Sequence, residues 1–283
     1  MKKALNYDEV RDFDANGFAC VRKKGEWKWG LINTKGEEVL KPKYKGLDSI
    51  SGTKLYRYAY KNYGIMDTNF TEIIPPEYEL ISKVSNNNII IIEKDEKFGF
   101  ISNKGKMLVK PKYDRLENNY WGNLIETLLN NKYGLINNKG KVIVDTIYDY
   151  TRHFNSKIAK VKIDKKIGII DKKGNLRLPI KYDEISLWDL KNEIIVRIKN
   201  KCGVFNLNFK QVIPLKYKNI TDYDGVGVLK VTNFKDKQGL LDIKGNIIVK
   251  CNYDEIGKVQ SNGMRIVRLK GNTYLMDKEF KLV

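Results

Sequence analysis

Lys28-Trp29-Gly30-Leu31-Ile32-Asn33-Thr34-Lys35-Gly36 decides the fold, because it comes back. It returns as Tyr63-Gly64-Ile65-Met66-Asp67, Phe98-Gly99-Phe100-Ile101-Ser102 and Tyr133-Gly134-Leu135-Ile136-Asn137. Further copies are Ile167-Gly168-Ile169-Ile170-Asp171, Cys202-Gly203-Val204-Phe205-Asn206 and Gln238-Gly239-Leu240-Leu241-Asp242, with a worn copy at Thr273-Tyr274-Leu275-Met276-Asp277. In the first seven copies a Tyr follows the Gly by fourteen residues: Tyr44, Tyr78, Tyr113, Tyr148, Tyr182, Tyr217 and Tyr253. An internal period of this length marks a repeat architecture, and every other inference about the fold must respect it.

Each copy has the pattern of β structure. A short apolar run follows the Gly, then an Asn, Asp or Ser three residues on, side chains that bond their own backbone in turns. Six residues past the Gly stands a second Gly (Gly36, Gly105, Gly140, Gly174, Gly245) or a Phe (Phe70, Phe209, Phe280). The Gly copies suit a hairpin with one residue at positive φ. In two Phe copies the preceding Asn69 or Asn208 is expected to take that conformation; Glu279 in the third suits it less. A second strand follows, often closed by a Pro, then a Tyr-Asp-x-Ile segment, a loop and a further β-branched run such as Ile194-Ile195-Val196. No sustained 3.6-residue period appears. The expectation is three clear strands per unit, with Tyr-Asp-x-Ile as a short fourth.

Tyr7-Asp8-Glu9-Val10 is a Tyr-Asp-x-Ile element without a preceding Gly half, and Tyr274 to Val283 is a Gly half without its Tyr. Together they complete one unit, giving eight. Such complementary ends favour an all-β, propeller-like closed toroid, which removes exposed sheet edges, over an open β-solenoid or superhelix. The repeat leaves no gap for a boundary, so residues 1–283 are expected to form one domain whose core is distributed among repeat interfaces.

The chain carries 53 Lys and Arg against 34 Asp and Glu, a formal net charge of +19. Lysine recurs five residues after the Gly (Lys35, Lys104, Lys139, Lys173, Lys244) and thirteen after it (Lys43, Lys112, Lys181, Lys216). Residues of equal phase form bands, and bands of positive charge favour anionic partners. The competing explanations are a solvated face that keeps a β protein soluble and a lysine bias set by an AT-rich genome. No run of 18 apolar residues predicts a membrane span, and the polar start at Met1 to Asp8 predicts no signal peptide. Three widely spaced cysteines without a CxxC argue against disulfides and zinc and suit a cytoplasmic location.

The string Lys28 to Gly36, running on to Lys41-Pro42-Lys43-Tyr44, resembles the bacterial WG-repeat family, whose members read KWGxIDxxGKxVIxPxYD. Lys97 to Asp114 matches with Phe for Trp, and Lys132 to Asp149 with Tyr. The departures are the loss of Trp after the first copy and of Gly at Tyr274. The resemblance implies a β-rich repeat body, often fused to other modules, and carries over no enzymatic activity and no catalytic residue.

The residues themselves offer no catalytic constellation. His153 is the only histidine, which excludes a multi-histidine metal site within one chain, and no phosphate loop, Rossmann fingerprint or EF-hand spacing occurs. Asp8, Asp114, Asp149, Asp183 and Asp254 follow the Tyr and are expected to make turns, since Lys45, Glu79 and Lys218 take the same phase elsewhere. The Tyr residues are expected in the core. The reading is therefore a non-catalytic scaffold, without cofactor or metal, that binds a protein as a monomer through variable loops. Trp121 and Trp188 are its candidate contacts. The alternative is nucleic-acid or polyanion binding through Lys35, Lys104, Lys139, Lys173 and Lys244.

Overall fold

The computed structural model describes residues 6–23, 25–85, 87–118, 122–153, 157–188, 193–223 and 227–283. They form eight antiparallel sheets, seven of four strands and one of three among the described residues. The first contains β1 (Tyr7–Val10), β2 (Phe18–Lys23), β3 (Trp29–Asn33) and β4 (Glu38–Tyr44), paired in chain order. The second repeats the meander with β5 (Gly46–Ser49), β6 (Leu55–Ala59), β7 (Tyr63–Asp67) and β8 (Glu72–Tyr78). Later sheets run from Leu80–Val84 to Met107–Tyr113, Arg115–Asn118 to Val142–Tyr148, Tyr150–His153 to Leu176–Tyr182, Glu184–Trp188 to Gln211–Tyr217, and Asn219–Asp222 to Ile247–Tyr253. The last comprises Glu255–Ile256, Arg265–Leu269 and Asn272–Met276, with one further bridge from Met276 to Leu282. The chain divides at residues 147 and 148 into two compact units. Among the described residues, no helix is long and apolar enough to cross a membrane.

The pairing places the start of each sheet within the Tyr-Asp-x-Ile segment. After the first sheet the Tyr closes the preceding fourth strand and the new strand opens two residues on, as Tyr44 ends β4 and Gly46 begins β5. Tyr7–Val10 is accordingly completed by the residues that follow it, through β1 pairing with β2, in a sheet of contiguous chain. That differs from the expected sharing of one unit between the two ends.

The Gly of each copy lies on the third strand, where the fourth crosses it through a register break. A Cβ on Gly30 would stand 2.4 Å from the Leu40 carbonyl oxygen and 2.7 Å from the Pro42 nitrogen. Six further copies repeat the approach to the carbonyl ten residues on: Gly64 to Ile74, Gly99 to Val109, Gly134 to Val144, Gly168 to Leu178, Gly203 to Ile213 and Gly239 to Val249. Only a residue without a side chain permits backbone this close. Tyr274, at the same phase in the last copy, is exposed.

The turn between third and fourth strands is held by the expected Asn, Asp or Ser. Asn33 Oδ1 accepts the N–H groups of Lys35 and Glu37 at 3.0 Å each, and Asp67 Oδ1 those of Asn69 and Thr71 at 2.8 and 2.9 Å. The left-handed residue is the second Gly, as expected (Gly36, φ 76°; Gly105, φ 85°). In the Phe copies it is the Phe itself, at φ 63° in Phe70, 61° in Phe209 and 65° in Phe280, and not the preceding Asn. The side-chain cap and the Phe70 N–H to Asp67 carbonyl bond fix which position must turn. Packing offsets the cost: the Phe70 ring lies 5.4 Å from that of Phe18, and guanidinium groups cover Phe209 (Arg177, 4.8 Å) and Phe280 (Arg265, 4.3 Å).

Within each unit the core lies between neighbouring sheets. Trp29, Leu31 and Tyr44 of the first sheet pack with Leu47, Tyr56, Tyr58 and Met66 of the second. Ile65 and Ile74 meet Ile81, Ile90 and Ile92 of the third. In the second unit, Ile158, Ile169 and Tyr182 meet Ile185, Ile194 and Val196. Nearest-neighbour burial of this kind is how a repeat chain builds stability. The Tyr series is core, as expected, with Tyr44, Tyr78, Tyr113, Tyr148, Tyr182 and Tyr217 buried.

Candidate functional site

The structure places Lys35, Lys104, Lys139, Lys173 and Lys244 in the turns between third and fourth strands, all at the same end of their sheets. All five are exposed. Their backbone N–H groups serve the turn, as in Lys139 to Asn137 Oδ1 at 3.0 Å and Lys173 to Asp171 Oδ1 at 2.9 Å. Their side chains take part in no ion pair among the described residues. Lys35, Lys104 and Lys139 stand in the first unit, Lys173 and Lys244 in the second. Lys104 borders a cleft of about 780 Å3 together with Lys54 and Asp67, and Lys244 one of about 590 Å3 with Lys210. Trp121 lies outside the described residues. Trp188 ends the strand Glu184–Trp188, and its side chain lies outside them.

The second lysine phase is at the opposite end of the strands. Lys43, Lys112, Lys181 and Lys216 stack over the buried rings of Tyr44, Tyr113, Tyr182 and Tyr217, at 5.1, 4.9, 5.6 and 5.4 Å. These cations lid the core rim while their ammonium groups stay in water.

The Asp residues after the Tyr brace a turn other than their own. Asp114 Oδ2 accepts the Asn130 N–H at 2.7 Å, Asp183 Oδ2 that of Lys199 at 2.8 Å and Asp254 Oδ2 that of Gly271 at 3.1 Å. Each therefore ties the first strand to the hairpin between second and third. Asp114, Asp183 and Asp254 also receive the ammonium groups of Lys97, Lys166 and Lys237. These lysines, and secondly the turn N–H groups, hold the three carboxyls below their usual range. Where the phase holds Lys218, the charges are reversed and the partner is Asp236. The series is thus a set of local clamps, and among the described residues no group of three or more His, Cys, Asp or Glu is placed to hold a metal ion.

The feature missed in the sequence is at this same end. In five sheets the second and third strands join through two residues, such as Asp95-Glu96 between Lys94 and Lys97 or Asn130-Asn131 between Leu129 and Lys132. Three connections are longer: Arg22 to Trp29, Ala59 to Tyr63 and Thr232 to Gln238. Each carries an exposed aromatic residue: Trp27 at 82%, Tyr60 at 44% and Phe234 at 53% of full exposure. The hairpin does not need these rings, since five sheets close without one. Around Trp27 the first sheet adds a ladder of planar groups. Arg22 lies 4.7 Å from the Trp27 ring and 5.7 Å from Trp29, and Arg11 covers Trp29 at 3.8 Å. Glu9 holds both guanidinium groups, at 3.6 Å from Arg11 and 3.3 Å from Arg22. One signal was present in the sequence: Gly203 and Gly239 are 36 residues apart where other intervals are 34 or 35.

Among curated proteins, none matches the chain. Solved structures similar to it include a eukaryotic initiation factor, at 13% identity and a TM-score of 0.34 over 86% of this chain and 77% of that one. The dihydro-heme d1 dehydrogenase NirN, in complex with DHE, gives 10% identity and a TM-score of 0.30 over 96% and 73%. PorZ, a surface component of the type-IX secretion system of Porphyromonas gingivalis, gives 8% and 0.29 over 97% and 45%. The model of the WG containing repeat matches eight times, at residues 4–27, 29–56, 63–98, 98–133, 133–166, 167–202, 203–232 and 239–274. With the glycine crossing and the capped turn recurring through the sheets, the chain belongs to the family of WG-repeat proteins.

Proposed function

We propose that this chain is a non-catalytic scaffold whose sheets present loops to a protein partner. The observation that carries the reading is the exposed Trp27, stacked with Arg22 on a connection longer than the repeat requires. Tryptophan and arginine dominate interface hot spots, and a rigid, pre-stacked pair loses little entropy on docking. Tyr60 adds a second exposed ring at the same end of the neighbouring sheet. Closure of the sheets into a ring, and cooperative unfolding of residues 1–283 as one domain, belong to the same proposal.

The test is affinity purification from the source cells, followed by reconstitution with the captured protein. Trp27→Ala raises the Kd at least tenfold, as expected of a hot-spot residue, while circular dichroism and Tm stay unchanged. A captured partner that binds Trp27→Ala as tightly as the parent overturns the assignment.

A second reading, polyanion binding through the turn lysines, is favoured by one observation: all five ammonium groups are exposed and outside ion pairs. Lys35→Glu/Lys104→Glu/Lys139→Glu abolishes heparin retention under that reading and leaves it unchanged otherwise.

A further inference from the structure

Among the connections between second and third strands in the second unit, the longest runs from Thr232 to Gln238, and it borders a cleft of about 810 Å3. Phe234 stands at the tip of that connection, with Lys235 beside it. Lys216 reaches the cleft from the fourth strand of the preceding sheet and Lys270 from the two-residue turn of the following one. Tyr253 and Cys251 form part of its wall.

The charge of this cleft is one-sided. No carboxylate lines it. The two acids of the surrounding stretch are already held, Asp236 by Lys218 and Asp254 by Lys237. Lys216, Lys235 and Lys270 are exposed, and none of them pairs with an acid among the described residues. An exposed phenyl ring sits among them at 53% exposure, on a connection of five residues where the sibling turns need two.

Hydration alone explains lysines at a rim, but it does not explain a large apolar ring left in water beside them. The combination of ammonium groups from three consecutive sheets with an accessible aromatic face matches what a single strand offers: phosphates at intervals and flat bases between them. An acidic peptide would satisfy the charge and leave Phe234 without a stacking partner.

We infer that this cleft of the second unit binds a segment of single-stranded nucleic acid, phosphates on Lys216, Lys235 and Lys270, one base stacked on Phe234. The site is distinct from the five turn lysines, which lie at the other end of the strands, and from Trp27, which lies in the first unit. Its recognition is tolerant of sequence, because every base has a π face.

The experiment uses the full chain and a fluorescein-labelled 12-residue oligouridylate, with anisotropy followed from about 50 to 300 mM salt. Binding is expected to weaken with salt. Phe234→Ala is expected to reduce affinity about tenfold. Lys235→Glu/Lys270→Glu is expected to abolish binding, and the milder Lys235→Ala to lower the salt slope by about 0.7. The triple Lys35→Glu/Lys104→Glu/Lys139→Glu variant retains binding.

A second readout needs no variant. Cys20 and Cys202 are buried and Cys251 is half-buried at the cleft, so maleimide modifies Cys251 first and saturating oligonucleotide slows it. Absence of binding overturns the inference, as does binding without protection of Cys251. Loss of binding in the triple variant but not in Lys235→Glu/Lys270→Glu assigns the ligand to the turn lysines and also overturns it. A Glu-rich peptide that displaces the oligonucleotide at equal concentration makes this a peptide groove instead.

Discussion

The carbonyl oxygen of Val109 stands 2.4 Å from the position that a Cβ on Gly99 would occupy. The Pro111 nitrogen is 2.6 Å from the same point, so both neighbours are backbone and neither can rotate away. Gly99→Ala must therefore push the fourth strand off the third. A cost of about 3 kcal/mol is expected, the upper range for an overpacked core, with a fall in Tm of roughly 6–12 °C. Gly122→Ala is the control: its φ is 69° and nothing lies within 4 Å of the added methyl. It carries only the left-handed penalty of about 1 kcal/mol. Equal losses in a thermal melt of the two variants would refute the crossing as the reason for the glycine.

That crossing shows where a single sequence stops. The period, the strands after each Gly, the Asn33-type caps and the buried Tyr series were all legible, because each follows from local chemistry repeated in register. The role of Gly30 was not, since the atom that excludes a side chain there belongs to Leu40, ten residues on and across a register break. The turn lysines were legible as a band but not as a site, for an exposed turn position accepts lysine without any ligand. Trp27 was hidden as the flank of the Trp29 motif, and Phe234 inside a lysine run. Both became visible only as rings on loops longer than five sibling hairpins need.

Phe70 tests how the repeat tolerates an aromatic side chain at a left-handed position. Its φ of 63° is unfavourable for any residue with a Cβ, and glycine holds this position in five sibling turns. Yet its ring contacts Phe18 at 5.4 Å and Tyr56 at 6.3 Å. Phe70→Gly relieves about 1 kcal/mol of backbone cost and loses about 3 kcal/mol of half-buried aromatic packing. The net expectation is destabilisation by about 2 kcal/mol, measured by urea titration. A variant as stable as the parent would mean that the ring contributes nothing to offset the strain.

Acid should act through the Asp clamps. Asp114, Asp183 and Asp254 sit below their ordinary value of 3.8 because of their lysines and then the turn N–H groups. A carboxyl lowered in the folded state adds stability that is complete above the unfolded value and lost as pH falls through the folded one. Tm is therefore flat near neutrality and declines below about pH 4. Asp254→Asn keeps an acceptor for Gly271 but removes the charge facing Lys237. It should lower Tm slightly at pH 7 and shrink the decline on acidification. A decline identical to that of the parent would remove Asp254 from the set of groups responsible.

Thiol chemistry separates the three cysteines by burial. Burial, more than any neighbouring charge, pushes the Cys20 thiol up to about 11. Burial likewise raises Cys202 and Cys251, Cys202 being shut within the core and Cys251 half-buried. Thiolate is the reactive form, so at pH 8 all three react more slowly than a free cysteine, and access then sets the order. A disulfide reagent should modify one thiol per chain in the folded protein, and all three in denaturant. Cys251→Ser should abolish the folded-state reaction and leave two thiols on unfolding. Rapid modification of Cys20 in the folded Cys251→Ser variant would show that the packing of Leu31, Tyr44 and Leu47 around it opens on the timescale of the reaction.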